Sequence, residues 1–180
     1  KPIGPIYSKS DAQNLTRDRG WVIAEDGENF RRVVPSPKPI DLLEFPIIEE
    51  LVTSGVLVIC GGGGGIPVMR GTNGQVSGVE AVVDKDLTAA LLARNLKADR
   101  LLILTDVDGV YQNWGQASEQ KLERITPAAL TTMSFSEGSM GPKVAAACSF
   151  AKATGNPAMI GSLDEADQIL AGIKGTWVSD

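Results

Sequence analysis

Three stretches of this chain set lysines, carboxylates and glycines at spacings that suit phosphate. The first is an unbroken run of five glycines, Gly61 to Gly65, directly after the apolar Val56-Leu-Val-Ile-Cys60. Glycine is costly to order, but without Cβ atoms successive N–H groups can converge on phosphate oxygens such as those at Gly62, Gly63 and Gly64 would meet. The run matches neither Gly-x-x-x-x-Gly-Lys-Ser/Thr nor Gly-x-Gly-x-x-Gly, because no Lys-Ser/Thr follows and Ile66-Pro67 stands where a last glycine belongs. Taken alone it is also compatible with a tight turn or linker. The second stretch, Val82-Val-Asp-Lys-Asp-Leu87, places Lys85 between two carboxylates. Asp86 reads either as the N-cap of a following helix or as a group that orients a lysine or holds Mg²⁺, while Lys85 meets phosphate. The third, Gly138-Ser-Met-Gly-Pro-Lys143, opens a helix whose free N–H groups and dipole favour an anion. A lysine in that first turn opposes the dipole, which singles out Lys143.

A fourth polar cluster, Thr105, Asp106 and Asp108 with Gly109, ends the apolar run Leu101–Leu104. It reads as a simple polar turn or as a nucleotide site with Val107 and Tyr111 in apolar contact. The chemistry open to these groups is narrowed by the absence of histidine. Ser-His and Cys-His nucleophilic machinery and histidine-ligated zinc are excluded. Glycine loops and lysines at successive strand–helix junctions point instead to phosphoryl transfer, where positioning and charge neutralisation carry the reaction.

Such groups need a scaffold, and the composition supplies one. A 180-residue chain with 43% hydrophobic and 22% charged residues can bury a substantial core. A net charge of −5 argues against a broad nucleic-acid-binding surface. No apolar run reaches the ~20 residues of a membrane span, and the start Lys1-Pro-Ile-Gly-Pro5 is not a signal peptide. Cys60 and Cys148 sit in apolar runs, lack metal-type spacing and read as buried, reduced thiols of a cytoplasmic protein.

Residues 1–39, rich in charge and proline, are expected to form a protruding hairpin subdomain, with strands at Trp21–Ala24 and Phe30–Val34 turning at Asp26-Gly27. Residues 40–180 are expected to form a nucleotide-binding domain. There Asp41 caps a helix ending at Gly55, Val56–Cys60 is a buried strand, and Gly78–Val83 is extended. A helix follows from Asp86 to Lys97, then a strand at Arg100–Val107 and a helix from Pro142 that stops at Gly155. A strand at Pro157–Gly161, a helix at Asp164–Leu170 and a strand at Thr176–Val178 complete the pattern. Alternation of this kind predicts an α/β fold with a mostly parallel sheet covered on both faces.

The ordered strings Lys1-Pro-Ile-Gly-Pro5, Arg32-Val-Val-Pro-Ser-Pro-Lys-Pro39, Gly61–Pro67, Glu80-Ala-Val-Val-Asp-Lys-Asp86, Leu104-Thr-Asp-Val107 and Gly138–Lys143 closely resemble the carbamate kinases of the amino acid kinase superfamily. The resemblance runs to the closing Gly175-Thr-Trp-Val178. It implies a three-layer αβα sandwich, usually a homodimer, that interconverts ATP plus carbamate and ADP plus carbamoyl phosphate with Mg²⁺. By the same resemblance Lys85 and Lys143 neutralise the transferring phosphate, Asp86 organises lysines, and Lys1 reaches toward the substrate from the root of the protruding subdomain. Gly62, Gly63 and Gly64 shape the phosphate site. Thr105, Asp106, Val107, Tyr111 and Met140 fall where the nucleotide lies.

Two departures qualify the match. The glycine run is one longer than usual, and the long N-terminal segment of the family, with its first strand and Gly-Gly-Asn loop, is missing. The chain therefore reads as the C-terminal three-fifths of such an enzyme, expected to be inactive alone. A non-catalytic nucleotide-binding remnant and a relative acting on another small acid are the alternative readings.

Overall fold

The charged, proline-rich start of the chain builds a small antiparallel sheet. In the computed structural model, which describes residues 1–136 and 138–180, strand β1 (Pro2–Tyr7) leads into helix α1 (Lys9–Arg19). Ser8 caps α1 by accepting the Asp11 N–H at 3.2 Å, and Gly20, at a φ of 64°, ends it in the left-handed conformation. Strands β2 (Ile23–Asp26) and β3 (Asn29–Val33) form the expected hairpin, but Asp26 pairs with Asn29, so the turn is Gly27-Glu28. Trp21 precedes β2 rather than joining it, and the Arg32 guanidinium lies 4.4 Å from its ring centre. The strand order is β1-β3-β2.

A second hairpin, β4 (Val68–Arg70) with β5 (Val76–Gly78), belongs to the same unit. Arg32 pairs with Glu80 at 2.8 Å, and the Val82 N–H donates to the Pro35 carbonyl at 3.0 Å. Contacts of this range join residues 65–83 to residues 1–38, leaving 39–64 and 84–180 as the second unit. A boundary drawn from composition near residue 39 does not register them. Of the extended segment expected at Gly78–Val83, only Gly78 lies in a strand.

The second unit opens with α2 (Phe45–Thr53). Its cap is Glu44 rather than Asp41, whose carboxylate instead accepts the neighbouring Leu42 N–H at 2.8 Å. Val56–Cys60 does not form the expected buried strand, and Cys60, expected to be buried like Cys148, is exposed. Leu57 and Ile59 are 91% and 97% exposed, because none of the described strands pairs with this run and a strand exists only through its ladder.

Helix α3 (Lys85–Asn95) precedes β6 (Leu101–Thr105), the hairpin β7 (Val110–Gln112) and β8 (Gln120–Leu122), strand β9 (Arg124–Ile125) and the short α4 (Pro127–Leu130). Helix α5 (Met140–Thr154), β10 (Ala158–Ser162), α6 (Ala166–Leu170) and β11 (Thr176–Val178) complete the unit. The sheet order is β6-β10-β11-β9. β10 runs parallel to β6 and β9 parallel to β11, whereas β10 and β11 are antiparallel, so the sheet is mixed. On one face Ala158, Ile160 and Val178 pack with Ala146, Ala147 and Phe150 of α5 and with Ala90 of α3. On the other face α6 presses Ile169 onto Gly161, where a Cβ would stand 2.6 Å from the Ile169 Cδ1. Helices thus cover both faces, as the alternating pattern predicts, and the α/β class holds.

Candidate active site

Helices α3 and α5 bring their N-terminal turns together beside the glycine run. The run folds tightly: Gly61, Gly62 and Gly64 adopt φ values of 78°, 45° and 127°, which L side chains rarely tolerate, and the Gly64 N–H closes on the Gly61 carbonyl at 2.8 Å. The Gly64 carbonyl accepts the buried Thr88 hydroxyl at 2.9 Å. This one bond fixes the end of the loop to the second turn of α3.

The cap of α3 is Asp84, not Asp86. Its Oδ1 accepts the N–H groups of Asp86 and Leu87 at 2.9 and 3.4 Å. Asp86 is thereby released from capping and, inside the first turn, its Oδ2 receives the Lys143 ammonium at 3.0 Å. Both side chains are largely buried, at 10% and 13% exposure. The Lys143 charge that opposes the α5 dipole is balanced from α3, across the junction of the two helices. Lys85, next in line, is exposed and carries no ion pair among the described residues. One buried, carboxylate-held lysine and one solvent-facing lysine next to a glycine turn form a cationic corner suited to phosphate oxygens.

The polar end of β6 is built differently. The Thr105 hydroxyl donates to Asp106 at 2.9 Å. Asp108 accepts the Lys121 ammonium at 2.6 Å and the Tyr111 hydroxyl at 2.8 Å. The Lys121 hydrogen bond holds the Asp108 carboxyl below its ordinary pKa, and the bond to Asp108 pushes the Tyr111 phenol up to about 12. Trp114 meets the Tyr111 ring edge-on, 5.0 Å between centres. Met140, half-buried, begins α5 and packs against the core. Close to it the Gly141 N–H bonds to the Ser136 carbonyl at 2.8 Å, with no room for a Cβ.

Of the residues singled out from sequence, Asp86 and Lys143 are in direct contact across α3 and α5, Gly64 is tied to α3 through Thr88, and Lys85 shares α3 with Asp86. Tyr111 forms a separate network with Asp108, and Val107 is half-buried between the two aspartates. Lys1 lies in the other unit, where its backbone nitrogen donates to the Val34 carbonyl at 2.7 Å. Sequence reasoning missed Thr88 and Lys121. Thr88 carried one signal: a polar residue four positions after Asp84, in helical register with it. Lys121 carried none, since its partner is thirteen residues away.

The model of the amino acid kinase family matches residues 7–162. The carbamate kinase of Haemophilus influenzae is 46% identical over 179 residues, covering 99% of this chain and 58% of that protein. The carbamate kinase of Thermococcus kodakarensis is also 46% identical, with 58% of its length covered. Among solved structures, the carbamate kinase of Giardia lamblia bound to AMP-PNP superposes with a TM-score of 0.90 at 43% identity, over 99% of this chain and 58% of that one. This chain therefore spans less than two thirds of the length of these relatives. By its sequence and its fold, the chain belongs to the amino acid kinase family.

Proposed function

We propose that the chain carries the nucleotide side of a phosphotransferase that moves a phosphoryl group between ATP and carbamate. The observation that carries this reading is the buried Asp86–Lys143 pair beside the glycine turn. A lysine held by a carboxylate keeps its position, so it meets the developing charge on a transferring phosphoryl group without reorganising. Lys85, exposed on the same turn, supplies a second positive charge to the phosphate oxygens. The N–H groups of Gly62, Gly63 and Gly64 cradle those oxygens, and Asp84 and Thr88 fix helix and loop against each other. In-line transfer needs no covalent enzyme intermediate, which suits a chain without histidine.

Thr105, Asp106, Val107, Tyr111 and Met140 are assigned to nucleotide contact, and Lys1 to the acceptor side, on the family resemblance. Mg²⁺ arrives as the metal–nucleotide complex, whose phosphate oxygens and waters supply most ligands, so no all-protein cage is required. None of the described helices is long and apolar enough to cross a membrane. A homodimer in the cytoplasm is the setting that the family resemblance favours.

The test uses the protein at its full natural length and, separately, the 180-residue chain. With carbamoyl phosphate and Mg·ADP, the full-length protein should form ATP and release ammonia. The 180-residue chain should bind ADP in calorimetry yet turn over at least about 100-fold more slowly, since groups on the acceptor side act together with those described. Absence of ATP formation by the full-length protein, alongside transfer to another small acid, would reassign the acceptor.

A further inference from the structure

The loop that joins β7 to β8 carries a tryptophan, Trp114, that is 63% exposed. Isolated exposed aromatic residues are ordinary, so exposure alone assigns nothing to it. Its setting does. The indole meets Tyr111 edge-on, 5.0 Å between ring centres. The Tyr111 hydroxyl donates to one oxygen of Asp108 at 2.8 Å, and the other oxygen accepts the Lys121 ammonium at 2.6 Å. A continuous chain of contacts therefore ties an exposed ring to the polar end of β6.

The backbone is shaped around the same residue. Asn113 and Gly115, on either side of Trp114, have φ values of 55° and 74°. Among the described residues Asn113 is one of only two non-glycine positions with a positive φ, a conformation that needs local support. That support is present: the Gln116 N–H bonds to the Asn113 carbonyl at 3.0 Å, and the Gly115 N–H bonds to the Glu119 carboxylate at 2.6 Å. A sparsely populated backbone held in place around one solvent-facing ring is a reason to look for a ligand of that ring.

The fold places this ring at the phosphate end of the unit. Helices α3 and α5 return by short connections into the parallel strands β6 and β10, so their N-terminal turns lie where β6 ends and the hairpin begins. The two sides of this end differ in charge. The helix turns offer Lys85 and Lys143. Residues 106–122 carry Asp106, Asp108 and Glu119 against a single cation, Lys121, which is committed to Asp108. Those carboxylates repel phosphate, whereas a neutral planar ring is not repelled and can stack on the open indole. We infer that Trp114 is the stacking platform for the base of the nucleotide, and that it favours a purine, whose fused rings cover more of the indole than a single pyrimidine ring does. This rests on the nucleotide-side reading above and adds to it a residue and a base class.

The test is calorimetry on the full-length protein and on Trp114→Ala, with folding checked by circular dichroism and with ADP, CDP and inorganic pyrophosphate as probes. The parent should bind ADP at least about fivefold more tightly than CDP. Trp114→Ala should weaken ADP by about tenfold, bring ADP and CDP within about twofold of each other, and leave pyrophosphate within about twofold of the parent. Trp114→Phe, which keeps a ring, should hold ADP within about threefold. If Trp114→Ala does not fold, Trp114→Leu keeps apolar bulk without a ring and should give the same losses. The inference is overturned by parental ADP affinity in the folded Ala or Leu variant, by an equal loss for pyrophosphate, or by a parent that binds no ADP. A parent that binds ADP but forms no ATP from carbamoyl phosphate contradicts the phosphotransferase reading alone, and the same titrations still decide the role of Trp114.

Discussion

Two lysine–aspartate pairs stand at the same end of the second unit's helices and strands, and they differ in what surrounds them. Lys121–Asp108 is the shorter, at 2.6 Å, yet its side chains are 28% and 46% exposed. Lys143–Asp86 is longer, at 3.0 Å, but its side chains are only 13% and 10% exposed. Distance alone would rank them wrongly. In solvent a short ion pair is screened and contributes little, whereas a buried charge that loses its partner bears most of its desolvation cost. The exposed pair is therefore an adjustable tether on the β7–β8 hairpin, and the buried pair is a fixed charge at the junction of two helices.

This contrast can be broken by substitution. Asp86→Ala leaves the Lys143 ammonium buried and unpaired, and should cost about 3 kcal/mol in denaturant unfolding. Asp84→Ala removes the cap of α3 without touching the ion pair, and should cost about 1–2 kcal/mol by the same measurement. Lys121→Ala should cost less than about 1 kcal/mol. If Lys121→Ala proved as damaging as Asp86→Ala, burial would not be what separates the pairs.

The smallest effect is spectroscopic. With Asp108 as its acceptor the Tyr111 phenol stays protonated to about 12. Its raised folded pKa contributes stability that is fully present below the unfolded value near 10 and lost as pH rises through about 12. Asp108→Asn should return this phenol toward about 10 in an ultraviolet titration. Asp108 has the opposite sign. Its lowered pKa contributes stability above the ordinary carboxylate range that is lost as pH falls through the folded value.

Much of the scaffold was legible because local signals and tertiary partners agree. Gly155, at a φ of 73°, ends α5 where the sequence pattern stops, and the β2–β3 hairpin turns on a glycine. Lys143 stood out because it opposes a helix dipole, and the structure supplies the opposing charge from a residue 57 positions away. Legibility failed where the deciding partner is distant or not among the described residues. Asp86 fits a cap by sequence, but the backbone starts the helix at Lys85 and makes Asp84 the residue that precedes it. Val56–Cys60 and Leu101–Thr105 are both apolar runs, but among the described strands only the second finds a partner. The antiparallel placement of β11 against β10, and the attachment of residues 65–83 to the first unit, are likewise long-range facts without a local signature.

The central claim is that the Asp86–Lys143 pair supplies the charge for phosphoryl transfer. Its most direct test compares Lys143→Ala with Lys121→Ala in the full-length protein, by initial rates of ATP formation from carbamoyl phosphate and Mg·ADP, with folding confirmed by circular dichroism. The account predicts that Lys143→Ala lowers kcat by about 100-fold or more, while Lys121→Ala stays within about tenfold of the parent. A folded Lys143→Ala variant with parental kcat would contradict it.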